Sequence, residues 1–273
     1  MPTPLPDTPR ISLCVDDFGL HAGVNQAVLV LARLGRVQAT SAMVGAPAWA
    51  QGAAELRTLD VRQLEVGLHL DLTEHPLHLP RQNLGPLIAR AYLRQLDAAA
   101  LRAEISAQFD AFERHLDGPP AYVDGHQHVH QLPMVRGLLV QEVARRYPPG
   151  TLWLRATHAG LPADPKAQVI AGLGARALSA LARGQGLRQN ARLLGVYGFT
   201  GGAQRYRERL ARWLHAARDG DLLMCHPALP AAVPDAIARA REDEFAVLSA
   251  PGFDTLLEDA RVRLAPMRQI LSI

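Results

Sequence analysis

Four short segments of the 273-residue sequence carry acids or histidines that could bind a metal ion or transfer a proton. They are far apart along the chain: Asp16-Asp17, His69, the run His126-Gln127-His128-Val129-His130, and His226. A catalytic metal ion takes about three protein ligands and leaves a position open for water and substrate. Carboxylates and imidazoles are suitable ligands and also act as general acids and bases. If the fold brings the segments together, they predict a metal-dependent hydrolase.

Each of these residues also has a simpler structural interpretation. Two acids at the end of a strand can cap the helix that follows. A histidine within an apolar run, such as His69, can be a hydrogen-bonded core residue. On an extended segment, His126, His128 and His130 would share one face, which is unusual for purely structural histidines. The hydrolase hypothesis therefore depends on whether all four segments lie at one edge of the fold.

The elements that would position these residues alternate between strands and helices. Short β-prone runs predict strands at Ile11–Val15, Ala39–Val44, Glu65–Leu72, Ala121–Asp124, Thr151–Ala156, Arg192–Tyr197, Asp221–Cys225 and Arg261–Leu264. Helical periodicity predicts helices at Ala22–Leu34, Arg90–Leu116, Met134–Arg146 and Arg205–Ala217. This alternation predicts an α/β fold, a TIM-like (β/α) barrel that is distorted or incomplete, with about seven or eight parallel strands. Functional side chains in such barrels gather at the carboxyl ends of the strands.

Two further features bear on the architecture. The turn after the first predicted strand, Asp16-Asp17-Phe18-Gly19, is acidic and would repel phosphate, which disfavours a dinucleotide-binding Rossmann sheet. No segment has the composition of a linker, so one domain is expected over residues 1–273. Residues 73–90 contain several prolines and are predicted to form an irregular lid or insertion loop.

Composition narrows the class of protein further. Hydrophobic residues make up 48% of the chain, enough for a sizeable core. We expect a cytoplasmic protein without a membrane span, because no apolar run approaches ~20 residues and the first residues do not resemble a signal peptide. The formal net charge is +3, and the arginines are interspersed with acids, so no nucleic-acid surface is predicted. A homodimer is the default expectation for an enzyme of this kind.

Four motifs together resemble the YdjC/ChbG family of carbohydrate deacetylases, over roughly Ile11 to Leu264. The motifs are Cys14-Val15-Asp16-Asp17-Phe18-Gly19-Leu20, Gly67-Leu68-His69-Leu70, Asp124-Gly125-His126-Gln127-His128-Val129-His130 and Leu223-Met224-Cys225-His226-Pro227. The family is similar to the NodB-type polysaccharide deacetylases in its chemistry and its distorted barrel. This chain departs at Cys14-Val15, where the family often has Asn-Ala, and at Asp71, where it often has Asn.

The resemblance implies removal of an acetyl group from an N-acetylated sugar, typically diacetylchitobiose or a chitooligosaccharide. It implies that Asp17, His69 and His126 hold one divalent metal ion, with Asp16 as the base and His226 as the acid. The metal of the family is usually taken to be magnesium. Two imidazole ligands instead favour a softer ion such as zinc, manganese or cobalt.

Two more residues are expected to contact the substrate, and two other functions remain open. His128 and Arg155 are the expected contacts, although Arg155 could instead orient an acid of the site or form a surface salt bridge. Whether His130 or His158 reaches substrate or metal is undecided. The open alternatives are a metallohydrolase of another bond, such as a phosphoester, and a sugar- or metal-binding protein without turnover.

Overall fold

A curled parallel sheet forms the centre of the molecule. The structure, a computed structural model, describes residues 8–58, 64–160 and 165–273. Within these ranges the strands are β1 (Arg10–Phe18), β2 (Ala39–Ala42), β3 (Glu65–Leu70), β4 (Tyr122–Gly125), β5 (Trp153–Leu154), β6 (Leu193–Leu194), β7 (Leu222–Cys225) and β8 (Arg263–Leu264). Their order is β5-β4-β3-β2-β1-β7-β6, and β8 pairs with the start of β1. Isolated bridges, such as Ala159 with Leu193, connect the β5 and β6 sides. The predicted distorted, incomplete barrel is confirmed.

Helices surround this sheet. They are α1 (Ala22–Arg33), α2 (Trp49–Leu56), α3 (Leu84–Tyr92), α4 (Ala98–Leu116), α5 (Val135–Arg146), α6 (Pro165–Gly172), α7 (Ala175–Gly184), α8 (Gly202–His215), α9 (Ala238–Ser249), α10 (Gly252–Ala260) and α11 (Met267–Leu271). A 3-10 helix spans His126–Gln131. Among the described helices, none combines the length and the apolar character needed to cross a membrane.

The predicted strands all coincide with observed ones, but one predicted helix is wrong in its extent. The segment Arg90–Leu116 is not a single helix, because the chain breaks between α3 and α4. Arg94 adopts a left-handed conformation with φ of 56°. The side chain of Asp97 then accepts hydrogen bonds from the backbone N–H groups of Ala99 and Ala100, and so caps the start of α4. In addition, α3 begins at Leu84, within the segment predicted to be irregular.

Apolar side chains at helical spacing attach α4 to the sheet. Leu101, Ile105, Phe109 and Phe112 are all buried, and Phe112 stacks on Trp49 of α2 with ring centroids 5.9 Å apart. Burial of side chains of this size contributes about 1.5–3 kcal/mol each. The packing holds α4 against β3, the strand that carries one of the candidate histidines.

Strand β1 lies at the centre of the sheet, and its side chains alternate between two environments. Leu13 and Val15 belong to the large apolar cluster, whereas Cys14 contacts the hydroxyl groups of Ser41 and Tyr122. Asp16 follows the same alternation as Cys14. The sheet therefore directs one polar face of β1 toward the interior of the curled barrel.

Candidate metal and catalytic centre

The carboxyl ends of four strands bring the candidate residues together. In the ladders, His69 of β3 pairs with Asp124 of β4, and Val15 of β1 pairs with Cys225 of β7. Because all these strands are parallel, the residues that follow them lie at the same edge of the sheet. Asp16, Asp17, His69, His126 and His226 thus share one small region, as the sequence predicted.

Asp17 faces this region through an unusual backbone conformation. Successive residues of a strand point to opposite faces, so two adjacent acids reach one site only if the chain turns between them. Asp17 has a φ of 68°, in the left-handed region, where Asp is tolerated better than most residues. Its Oδ1 lies 2.9 Å from Nδ1 of His126 and 3.4 Å from Nε2 of His69. All three side chains are buried, and each offers a ligand atom within 4.8 Å of the other two.

His69 is oriented by a carboxylate on its far side. Its Nδ1 lies 2.6 Å from Oδ1 of Asp124, so that Nε2 points toward Asp17. A carboxylate on the second ring nitrogen is the usual arrangement around a metal-binding histidine. Burial by itself would lower the pKa of His69, but Asp124 outweighs it and raises that pKa to about 9.

The donor chemistry of Asp17, His69 and His126 fits a divalent cation. One carboxylate oxygen faces two imidazole nitrogens, a set that suits zinc, manganese or cobalt. The other oxygen of Asp17, Oδ2, accepts a 2.7 Å hydrogen bond from Arg241 of α9. Burial tends to raise the pKa of Asp17, but Arg241 and His126 hold it well below its usual range.

Asp16 is held by a bidentate ion pair with Arg155. Nη1 and Nη2 of Arg155 each donate a 2.7 Å hydrogen bond to a different oxygen of Asp16. Nη2 also lies 2.7 Å from Oδ2 of Asp124. Burial alone would raise the pKa of Asp16, but the guanidinium outweighs burial and holds that pKa well below its usual range. The carboxylate is therefore ionised and fixed in direction.

This position corrects two predictions for Arg155. Its side chain has no exposed surface, because Asp16, Asp124 and Cys14 enclose the guanidinium. A direct contact with substrate does not fit such burial, and neither does a surface salt bridge. The remaining interpretation, that Arg155 orients an acid of the site, agrees with the geometry.

His226 lies beside Asp16 at the end of β7. Its Nε2 is 3.9 Å from Oδ2 of Asp16, and its ring meets the ring of Phe199 at 90° with centroids 5.1 Å apart. Its backbone N–H donates a 2.5 Å hydrogen bond to Glu244. Burial lowers the pKa of His226 to about 4. The imidazole is therefore neutral at pH 7.

The remaining histidines do not form the predicted row. Gln127 and His128 have φ values of 52° and 61°, and the segment is a 3-10 helix rather than an extended strand. As a result, His126 faces Asp17, whereas Nε2 of His130 lies 3.1 Å from the carbonyl oxygen of Arg155. Burial lowers the pKa of His128 to about 3 and keeps that half-buried ring neutral. His158 bonds Ser179, with 2.9 Å between Nε2 and Oγ.

Three residues around the centre were missed by the sequence reasoning. Asp124 stands two residues before His126, and its place in the same motif was a usable signal. Arg241 lies in a helix where arginines and acids alternate, a pattern typical of an exposed face, yet only 3% of its surface is exposed. Glu74, with Oε1 3.2 Å from Nε2 of His126, comes from the segment predicted to be a lid.

Comparison with known proteins identifies the family of this chain. Residues 10–259 match the family model described as YdjC-like protein. The chain belongs to the YdjC-like family. The predicted resemblance is thereby confirmed over most of the sequence.

Curated relatives of this YdjC-like chain are similar over part of their length. A chitooligosaccharide deacetylase of Yersinia enterocolitica is 37% identical over 132 residues, which cover 45% of this chain and 51% of the relative. A carbohydrate deacetylase of Mus musculus is 34% identical over 143 residues, covering 46% and 45%. The chain thus spans about half the length of the curated relatives it matches.

One solved structure is similar over nearly the whole chain. It is an Enterococcus faecalis V583 protein named for cellobiose-phosphate cleavage, with a TM-score of 0.71 and 18% identity, covering 97% of this chain and 99% of the other. At this identity the similarity shows the fold alone. It agrees with the incomplete barrel described above.

Proposed function

We propose that this YdjC-like protein is a metal-dependent deacetylase that removes the acetyl group from an N-acetylated sugar, a chitooligosaccharide or a related glycan. One observation carries the proposal. Ligand atoms of Asp17, His69 and His126 lie within 4.8 Å of one another beside the ion pair of Asp16 with Arg155. The names of the curated relatives supply the substrate class.

The residues would divide the reaction between a cation site and a proton path. Asp17, His69 and His126 would hold a divalent cation, which would supply polarisation of the acetyl carbonyl and a lowered pKa for the attacking water. Asp16, kept ionised by Arg155, accepts the proton of the attacking water. His226 is neutral at pH 7 and lies 3.9 Å from Asp16, so it relays that proton to the departing amine. The C–N bond breaks, and acetate and a free amino sugar result.

The surroundings favour an amide over a phosphoester. Enzymes that transfer phosphoryl groups commonly use arginine or lysine to clamp the phosphate oxygens. Two arginines that reach this centre, Arg155 and Arg241, are both buried against carboxylates. Their charge is directed at Asp16 and Asp17, which leaves the centre better suited to a neutral acetamide than to a phosphate.

Acetate release tests the proposal directly. The protein is stripped of metal, and magnesium, manganese, cobalt or zinc is added back in turn with diacetylchitobiose or chitotriose as substrate. We expect acetate release with at least one cation and none after chelation. Release of phosphate from phosphosugars, with no acetate under any of these conditions, would favour the phosphoester alternative instead.

An Asp16→Asn variant tests the assigned base. We expect it to bind the metal and to lose about 10²–10⁴-fold in turnover, the usual contribution of a general base. Asp219→Asn, which changes an exposed carboxylate paired with Arg10, is the matched control and should keep its activity. Near-normal turnover by Asp16→Asn would rule out Asp16 as the base.

A cytoplasmic location and a homodimeric state stay predictions. Cell fractionation and light scattering would test them.

A further inference from the structure

Two carboxylates contact the two candidate ligand histidines in matching ways. On His69, Asp124 lies 2.6 Å from Nδ1, while Nε2 faces Asp17 at 3.4 Å. On His126, Glu74 lies 3.2 Å from Nε2, while Nδ1 faces Asp17 at 2.9 Å. In both cases one ring nitrogen points to the shared Asp17 oxygen and the opposite nitrogen points to a carboxylate.

The two carboxylates differ in where they lie. Asp124 is fully buried, and Arg155 and Ser41 also hold it. The side chain of Glu74 is 39% exposed, and it also accepts a 3.3 Å hydrogen bond from Gln127. Glu74 is therefore the carboxylate of the pair that solvent and a ligand can reach.

The loop that carries Glu74 is held in place by buried acceptors. Asp71 accepts hydrogen bonds of 2.6–3.1 Å from the backbone N–H groups of Thr73, Glu74 and His75. Glu104 of α4 accepts three more, of 2.7–2.9 Å, from Leu77, His78 and Leu79. Asp71 and Glu104 are themselves buried. This part of the predicted lid is thus a fixed wall that presents Glu74 to His126.

We propose that Glu74 is a positioning residue for His126: it accepts a hydrogen bond from Nε2–H and so directs Nδ1 into the metal site. The inference rests on the metal site of the proposed function. Nε2 of His126 is buried and makes no well-aligned hydrogen bond, so a small rotation of either side chain completes the contact with Glu74. Outer carboxylates of this kind typically change metal affinity about 10–100-fold.

Cobalt binding tests the assignment without any substrate. Cobalt(II) is titrated into the metal-free wild type, Glu74→Ala and Glu74→Gln, and affinity and the visible spectrum are recorded. We expect Glu74→Ala to bind cobalt about 10–100-fold more weakly with the same spectrum. Glu74→Gln, which keeps an oxygen acceptor, should recover most of the affinity. Glu55→Ala, on a partly exposed glutamate of α2, is the matched control and should bind like the wild type.

The tautomer of His126 provides a second measurement. In the zinc-loaded wild type, nitrogen-15 NMR of the imidazole should show a proton on Nε2 and metal on Nδ1, and Glu74→Ala should broaden or shift the Nε2 signal. Affinity of Glu74→Ala within two-fold of the wild type, or metal on Nε2, would overturn the proposal. So would a changed cobalt spectrum in both Glu74 variants, since that outcome makes Glu74 a ligand itself.

Failure of this inference and failure of the proposed function give different results. If the wild type binds cobalt but releases no acetate from any sugar, the function is wrong and the role of Glu74 is still decided by the titration. If acetate is released and Glu74→Ala binds cobalt normally, the positioning role is wrong and the function stands. A wild type that binds none of magnesium, manganese, cobalt and zinc would end both.

Discussion

Carboxylates are buried at both edges of the sheet, but the two edges neutralise them differently. At the carboxyl edge, Asp16 and Asp17 each bond an arginine, and their pKa values lie well below the usual range. At the amino edge, Glu65 at the start of β3 accepts hydrogen bonds from the backbone N–H groups of Met267 and Arg268. Burial raises the pKa of Glu65 to about 7, and those N–H groups offset only part of the effect.

The difference shows what each carboxylate contributes. A carboxylate that must be charged during a reaction needs a buried cation beside it, because burial otherwise favours the protonated form. A carboxylate that anchors backbone N–H groups can function with a less stable charge. Glu65 links β3 to the helix α11, whereas Asp16 and Asp17 supply charge to the candidate centre.

The largest expected effect is a loss of stability when Arg155, at the carboxyl edge, is replaced. Arg155→Met leaves Asp16 and Asp124 buried without their counter-charge, and the loss of one partner of a buried ion pair costs about 3–5 kcal/mol. Urea unfolding should show this loss in the free energy of unfolding. Arg155→Lys keeps a charge and should unfold at an intermediate urea concentration. A free energy of unfolding for Arg155→Met within about 1 kcal/mol of the wild type would contradict the role of Arg155 as the counter-charge of the buried carboxylates.

A somewhat smaller effect is expected at Asp17. Asp17→Asn keeps the shape of the side chain and suits the left-handed backbone there, since Asn also tolerates positive φ. It removes the charge that the two histidines share, so zinc affinity measured by calorimetry should fall by more than about 100-fold, beyond the usual effect of an outer carboxylate. An unchanged affinity would mean that the metal, if bound, is held elsewhere.

The smallest effect is expected at the amino edge, as a change with pH. Because the pKa of Glu65 is about 7 when folded and 4.5 in its ordinary state, the unfolded chain loses this proton first. The wild type should therefore lose stability as pH rises from about 4.5 to 7, and the cost should be complete above 7. Glu65→Gln removes this titration. In urea unfolding, its free energy of unfolding should be about 1–2 kcal/mol higher than that of the wild type at pH 8, and no higher at pH 4.

Asp219 lies at the same edge, and its effect on stability should change with pH in the opposite direction. The exposed Asp219 bonds Arg10, which lowers its pKa. Any stability from that pair is present above the ordinary pKa of the carboxyl and is lost as pH falls, so Asp219→Asn should remove it at neutral pH and change the slope of the curve only at its acidic end. If Glu65→Gln leaves the slope of unfolding free energy against pH unchanged between pH 5 and 7, the pKa of Glu65 is not raised in the folded protein.

The sequence predicted the strands and the convergence of the site better than it predicted the partners of the site. Strand ends can be read because short apolar runs are followed by polar residues, and parallel strands place those ends at one edge. The contact of Arg241 with Asp17 could not be predicted, because the two residues are 224 positions apart and the neighbours of Arg241 alternate in charge. Its burial depends on how α9 packs.

The histidine run shows a second limit of sequence reasoning. An alternating pattern predicts one shared face only if the backbone is extended. The left-handed conformations of Gln127 and His128 change the direction of each side chain, and neither residue is of a type that demands such a conformation. By contrast, the break before α4 could have been predicted, because Asp97 followed by three alanines is a typical helix start.

The hydrogen bonds from Asp71 and Glu104 also divide the segment between β3 and α3 into parts that should tolerate change differently. Most backbone N–H groups of residues 73–79 donate hydrogen bonds to Asp71 or Glu104. An insertion there would therefore shift Glu74 away from His126. Pro80, Arg81 and Asn83 are exposed. We expect changes in the length of that stretch to leave Glu74 and the candidate metal site in place.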